Sequence, residues 1–270
     1  MKSDFDLIVH KLPAAQEVKL YIVGDLHVGA IEANIKGWER FTERVLNDRN
    51  AYLCIIGDMM NNATKSSVSN VFEETMRPRE QKRYLMNALK CLTERILCGV
   101  PGNHEARSGK DADDDPLYDV FCKLDLEDVY RPNIAFMRLC IGDRTNGKAP
   151  NRAVQSYVGA VMHGAGGGIY TGAAVNRNER TMNVFEGVDF FAVGHTHKGT
   201  ITKPSKIVVD PHHNTIQQKT VTVVSACSWM VYGGYSVRKM LLPSSAQDPE
   251  SPQTLVLSGK HSDRYIRTIW

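Results

Sequence analysis

The stretch "EVKLYIVGDLHVG", residues 17–29, decides how the rest of the chain is read. It runs apolar through Leu20, Tyr21, Ile22 and Val23, the pattern of a strand covered on both faces. Gly24 ends the run. Asp25 and His27 follow at once, two metal-capable side chains one residue apart in a turn. The same event recurs four times. "AYLCIIGDMM" (51–60) breaks at Gly57 and Asp58, and "LCGVPGNHE" (97–105) at Gly102, Asn103 and His104. "AVMHG" (160–164) ends at His163, and "VDFFAVGHTH" (188–197) at Gly194, His195 and His197. Ligands of open α/β sheets bind outside the carboxyl ends of strands, so these five loops are expected to meet at one sheet edge.

Working outward, "IEANIKGWERFTERVLNDR" (31–49) and "REQKRYLMNALKCLTERI" (79–96) have helical periodicity. Residues 108–115, "SGKDADDD", read as an acidic loop before a short helix near "PLYDVFCKL". Strands are expected at 134–141 and 155–162, and a helix over "ERTMNVFEG" (179–187). Beyond residue 205 the chain turns β-rich, in "KIVVD", "KTVTVVSAC", "TLVLSG" and "YIRTIW", broken by a turn-rich loop at 243–252. Strands alternate with helices early and dominate late. That pattern predicts one α/β domain over residues 1–270, with extended sheets covered by helices.

Asp25, His27, Asp58, Asn103, His163, His195 and His197 make seven candidate ligands of mixed carboxylate, amide and imidazole type. That mixture suits a borderline divalent ion such as Mn, Fe, Zn, Co or Ni better than calcium, which prefers an all-oxygen shell. Seven ligands suggest two ions. If one carboxylate bridges, each ion keeps open positions, which marks a catalytic rather than a structural site. Taken singly, each motif is more often a plain turn or a satisfied core histidine. All five together, each at a strand end, are hard to assemble by chance.

The series D-x-H, GD-x-x-N, GNH-E, H and GH-x-H resembles the calcineurin-like metallophosphoesterase superfamily across residues 25–197. The resemblance implies an αββα sandwich of two mixed sheets flanked by helices, with a two-metal site at the strand carboxyl ends. It implies that Asp25, His27 and His197 hold one metal, that Asn103, His163 and His195 hold the other, and that Asp58 bridges them. It makes His104 a non-ligand histidine, the general acid toward the leaving oxygen. Two such ions, Mn²⁺ by preference, would lower the pKa of a shared water and clamp the phosphoryl oxygens.

The stretch "GDMMNNATK" lacks the arginine that follows this motif in the protein phosphatases of the superfamily, and "GHTH" is similar to its phosphodiesterase and nuclease branches. The expected reaction is therefore hydrolysis of a phosphodiester, with DNA or RNA as the substrate. The alternatives are a nucleotide or cyclic-nucleotide phosphodiesterase, a phosphomonoesterase or protein phosphatase, and a non-catalytic binding module. Asn61 and Arg107 are candidate substrate contacts, Arg107 because it shares a loop with His104. "TMRPREQKR" (75–83), "RNER" (177–180) and the basic end "KHSDRYIRTIW" offer phosphate contacts or merely solvated faces. Trp229, Tyr232 and Tyr235 in "WMVYGGY" could stack on a base, Tyr235 being the candidate substrate residue.

The net charge of +3 neither implies nor repels a polyanion. Six cysteines without a CxxC pair read as reduced thiols, mostly buried. No signal peptide is visible, and no apolar run approaches the roughly 20 residues needed to span a bilayer. A cytoplasmic protein without membrane contact is expected, and no pattern fixes its oligomeric state. "PHHN" (211–214) reads as a surface turn, and His10 and His261 as bland.

Overall fold

The computed structural model describes residues 2–65, 67, 71–142, 155–243, 246–260 and 262–270, Tyr235 without its side chain. Ser244 and Ser245 of the expected 243–252 loop, and His261, lie outside the described residues. One sheet is built on β2 (Glu17–Val23), β3 (Ala51–Ile55) and β4 (Ile96–Gly99), all parallel, and is extended by β12 (Thr254–Ser258) and β13 (Ile266–Ile269) as antiparallel neighbours. Its order is β13-β12-β2-β3-β4. The other sheet takes β1 (Ile8–Leu12), β5 (Ile134–Ile141), β6 (Gln155–Met162), β7 (Phe190–Val193), β8 (Thr200–Thr202) and β11 (Thr222–Ser225) in the order β1-β5-β6-β7-β11-β8. Both sheets are mixed. A separate hairpin, β9 (Ser205–Asp210) with β10 (Thr215–Thr220), carries the 211–214 turn at its tip, where His212 and His213 are exposed.

The period of two in a strand explains the layers. Leu20 and Ile22 of β2 face the second sheet, in a core with Cys54, Met137, Tyr157 and Phe190. Tyr21 and Val23 face the other way, in a core with Trp38, Phe41 and Leu85 of the helices. Each face buries its own apolar set, which is why the run is continuously apolar. Helix α1 (Ile35–Asn47) presents Trp38, Phe41 and Val45 to that outer core, and Asn34 caps its start by accepting from the Gly37 amide at 2.9 Å. Helices α2 (Pro78–Leu89) and α4 (Pro116–Lys123) cover the same sheet through Leu85, Leu89, Val120 and Phe121. Helix α5 (Thr171–Met182) covers the other sheet, Met182 packing with Phe191 and Val223. The result is the helix–sheet–sheet–helix sandwich that the family resemblance implies.

Several elements differ from the sequence reading. The acidic loop expected at 108–115 is mostly helix: α3 runs Glu105–Ala112 and stops at Asp113 in the left-handed region, φ 52°. The helix expected at 179–187 starts earlier, at Thr171, because its buried face is carried by Ala174, Asn178 and Met182 rather than by a strong apolar stripe. Strands β1 and β8 were not expected. The 79–96 helix ends at Leu89 and tightens into a 3₁₀ segment, Lys90–Arg95. Three of the six free cysteines, Cys54, Cys98 and Cys227, are buried, and Cys91 is exposed. Among the described residues, no helix is long and apolar enough to cross a membrane.

Candidate metal centre

Strands β2, β3, β4, β6 and β7 all stop at one end of the sandwich, and their following residues converge there. The backbone does unusual work at these stops. Asp25 (φ 53°), His27 (φ 50°), Asp58 (φ 50°), His195 (φ 69°) and His197 (φ 56°) all take the left-handed conformation. For non-glycine residues this costs on the order of 1–2 kcal/mol each, and such strain collects at functional sites. Those turns let "D-x-H" and "H-x-H" aim both side chains into one space, which an extended strand cannot do.

Three groups of donor atoms result: Asp25, His27 and His197; Asp58, His163 and His195; and His27, Asp58 and His104. His197 Nε2 stands 3.3 Å from Asp25 Oδ1 and 3.2 Å from His27 Nε2. On the other side, His163 Nε2 is 3.3 Å from Asp58 Oδ2, 3.0 Å from Asn103 Oδ1 and 3.2 Å from His195 Nδ1. Asn103 Oδ1 and His195 Nδ1 are 2.6 Å apart. Two ligands held about 2.1 Å from one ion, at angles between square and tetrahedral, lie about 3.0–3.4 Å apart. Most of the spacings fall there. Asp58 belongs to both sides, with Oδ2 3.9 Å from His27 Nε2.

The residues fit a metal on two further observations. Asp25 Oδ1 is buried with no hydrogen-bond partner, an expense a protein avoids unless something else satisfies the group. His163 donates Nδ1 to the Ile56 carbonyl at 2.7 Å, which leaves the Nε2 lone pair facing the site. The charges agree. Burial alone would raise the Asp58 carboxyl, yet the bond and charge of His163 hold it well below the usual carboxylate range. Burial likewise opposes the low pKa of Asp25, which the charge of His197 enforces. Burial would lower His163, but Asp58 raises it to about 9, and Asp25 raises His197 against the same burial. The two buried carboxylates thus draw protons onto neighbouring rings, where divalent cations would compensate them as well.

The loops are locked to each other. Glu105 is buried and accepts from the amides of Asp58 (2.8 Å), Met60 (3.0 Å) and Gly102 (2.8 Å). Asp58 Oδ1 accepts from the His104 amide at 2.8 Å. The "GD" and "GNHE" turns therefore approach so closely that a Cβ on Gly57 would overlap the Gly102 backbone. Burial and the Asp58 charge raise the Glu105 pKa to about 7, against the pull of its amide donors. His104 donates Nδ1 to the Asn61 carbonyl at 2.8 Å, and Arg107 donates to His104 Nε2 at 2.9 Å and to the same carbonyl at 3.0 Å. The Asn61 side chain is engaged elsewhere, donating to Glu74 at 2.9 Å.

A cleft of about 500 Å³ opens over the centre, lined among others by His27, Asp58, Asn61, His104, Arg107 and His197. Among the described residues, none of the basic segments 75–83, 177–180 or 260–270 contributes a lining residue. Several of their cations are spent within the fold: Lys82 pairs with Asp119, Arg264 with Asp189 and Arg267 with Glu17. Trp229 is not a stacking surface. It is buried in the outer core, its ring 5.0 Å from Phe41 and 5.6 Å from Trp38. Tyr232 lines the cleft; Tyr235 lies in α6 (Gly234–Arg238), its side chain outside the described residues. Sequence reading missed Glu74, which ties Asn61, the Ala63 amide and Gln81 together. Its signal was faint, one acid beside another in "FEE".

Among curated protein sequences, no relative matches the chain. Solved structures that resemble it include a predicted phosphoesterase from Streptococcus pneumoniae (12% identity, 94% of this chain and 98% of that one, TM-score 0.34). Others are Vps29 with zinc from Entamoeba histolytica (13%, 93% and 97%, TM-score 0.40) and a metallophosphoesterase from Sphaerobacter thermophilus (14%, 89% and 84%, TM-score 0.39). These likenesses are too distant to assign residue roles. The model of the calcineurin-like phosphoesterase family matches residues 18–199, the span that holds every strand end described above. The chain belongs to the calcineurin-like phosphoesterases.

Proposed function

We propose that residues 1–270 act as one domain that hydrolyses a phosphodiester with two divalent cations, manganese first among them. Asp25, His27 and His197 would hold one cation, Asn103, His163 and His195 the other, and Asp58 would serve both. The observation that carries this is the position of Asp58 Oδ2, 3.3 Å from His163 Nε2 on one side and 3.9 Å from His27 Nε2 on the other. When bound, the cations would supply Lewis-acid stabilisation of the phosphoryl oxygens and a lowered pKa for attacking water. The protein's own residues do the rest. Arg107 reaches His104 Nε2 in the substrate-free site, and its guanidinium is placed to turn onto an arriving phosphate. His104, its Nδ1 fixed by Asn61, then presents Nε2 to hold a proton for the departing oxygen. The free cysteines support a reducing, cytoplasmic setting. A nucleic-acid strand draws less support than a short diester, because the basic segments stay outside the cleft lining.

The test is metal-dependent turnover of bis(p-nitrophenyl) phosphate against p-nitrophenyl phosphate, together with an alkyl phosphodiester. Diester turnover should exceed monoester turnover. His104→Ala should cost about 10²–10⁴-fold on the alkyl ester, whose leaving oxygen needs a proton, and less on the p-nitrophenyl ester. Monoester preference would make the protein a phosphatase. Metal-bound silence on all three would favour a binding module.

A further inference from the structure

Exposed apolar side chains are not scattered evenly over this molecule. Ile31, Val231, Tyr232, Leu241 and Leu242 are all exposed, and all five line the cleft that opens over the metal centre. They come from two segments bound to each other: the Glu32 carbonyl accepts from the Val231 amide at 2.9 Å, and the Asn34 amide donates to Trp229 at 2.8 Å. The Tyr232 hydroxyl donates to the Leu241 carbonyl at 2.8 Å, which holds the ring against the rest of that wall. Apolar surface gathered at a reactive cleft is surface kept for a ligand.

The charges of the same wall are as informative. Glu32 lies against Gly233 and Gly234, so close that a Cβ on Gly234 (φ 42°) would overlap its carboxylate, and the described residues give that carboxylate no hydrogen bond or ion pair. Arg238 is the wall's cation among the described residues, and Glu73 binds it at 3.1 Å. With Glu32, Glu73 and Arg238 together, this part of the cleft carries one net negative charge. Of the remaining lining cations, Arg107 bonds His104 and the Asn61 carbonyl beside the metal centre, and Lys198 is held by the Ile169 carbonyl at 2.6 Å. A polynucleotide needs cations along its whole track. Here a second phosphate would meet Glu32.

We infer, resting on the phosphodiesterase reading, that the cleft selects small diesters carrying a single phosphate and an apolar organic group, and that Glu32 and Glu73 exclude substrates with further phosphates. Glu32 acts by its own charge, and Glu73 by occupying Arg238. Both are specificity-determining residues and neither touches the reacting atoms.

The experiment uses matched esters with one leaving group, on the metal-loaded full chain. The p-nitrophenyl ester of thymidylate is compared with the same ester bearing a second phosphate on its 3′ oxygen, and phenyl p-nitrophenyl phosphate with methyl p-nitrophenyl phosphate. The single-phosphate nucleotide ester should be favoured in kcat/KM by about tenfold or more, and the phenyl ester over the methyl ester by about tenfold. Glu32→Gln and Glu73→Gln should each narrow the first ratio to about threefold or less, by separate routes. Tyr232→Ala should narrow the second. Calorimetric titration with thymidylate and with thymidine bisphosphate should give the same order without turnover. Equal rates for the two nucleotide esters, or ratios unmoved in both Glu variants, would overturn the inference and leave the phosphodiesterase reading standing. No turnover of any diester by the metal-loaded chain would overturn both.

Discussion

Two hollows of similar volume open at opposite ends of the sandwich. One, about 500 Å³, lies over the strand carboxyl ends; the other, about 480 Å³, lies among His10, Lys11, Arg49, Tyr52, Arg95 and Leu97, where β3 and β4 begin. Each contains histidine, arginine and glutamate. They differ in what is left unsatisfied. In the second hollow His10 bonds the Leu97 carbonyl at 2.7 Å, Arg95 bonds the Arg49 carbonyl, and Arg95 sits 5.8 Å over the Tyr52 ring. His10 and Arg95 are thus answered by neighbours in ordinary conformations. In the first, five ligand candidates hold left-handed backbone, two buried atoms have no partner, and carboxylates face rings across gaps suited to ions. Volume and residue types therefore do not identify a reactive centre. Strain and unpartnered donors gathered in one place do.

The largest effect expected from that contrast is at Asp58. Asp58→Asn removes the carboxylate proposed to serve both cations, and kcat/KM should fall by more than about 10³-fold, beyond the loss of a single stabilising donor in a charged site. Metal content, measured after gel filtration, should fall with it. Retention of both metals and near-normal turnover would break the claim that the two groups act as one centre. Glu105→Ala comes next. It leaves the Asp58, Met60 and Gly102 amides without their acceptor, at a cost of about 3 kcal/mol in unfolding free energy. Chemical denaturation of the metal-free protein measures this directly. A loss below about 1 kcal/mol would mean that water replaces the carboxylate and that the clasp is not what holds the turns together.

The strand ends were legible in the sequence because two signals coincide there: an apolar run, and a glycine beside metal-capable residues. The five loops were found that way, and β5 and β6 at 134–141 and 155–162 match their expected bounds. What stayed hidden depends on distant partners. Nothing local says that Glu105 is buried, because its three donors come from the 57–60 and 101–103 turns. With an acid at its first position, where the helix dipole favours negative charge, "EARSGKDA" winds into α3 despite its acidic and glycine-bearing composition. Trp229 sits in a glycine-bearing segment and looked available for stacking, but the exposed side of Trp38 and Phe41 needed a cover and Trp229 supplies it. The apolar wall at 230–242 has neither a strand period nor a helix period, so no pattern announced it.

The smallest effect belongs to the second hollow, and it concerns acid sensitivity rather than turnover. Burial lowers the His10 pKa below its ordinary value, and the bond to the Leu97 carbonyl only partly restores it. The folded state therefore binds this proton less readily than the unfolded chain does. His10 costs nothing above the unfolded pKa of about 6.5, and stability is lost as pH falls below that value toward the folded pKa. One proton limits the slope to about 1.4 kcal/mol per pH unit. His27, His104 and His195 are lowered by burial as well, so the readout is a difference: urea midpoints of wild type and His10→Gln followed from pH 7.5 to 5.5. His10→Gln should lose less stability than wild type over that range, while diester turnover at pH 7.5 stays within about twofold, since no part of the second hollow faces the metal centre. Parallel acid profiles would show that the Leu97 bond offsets the burial in full. A large loss of turnover would show that the two ends of the sandwich are coupled through the sheets that separate them.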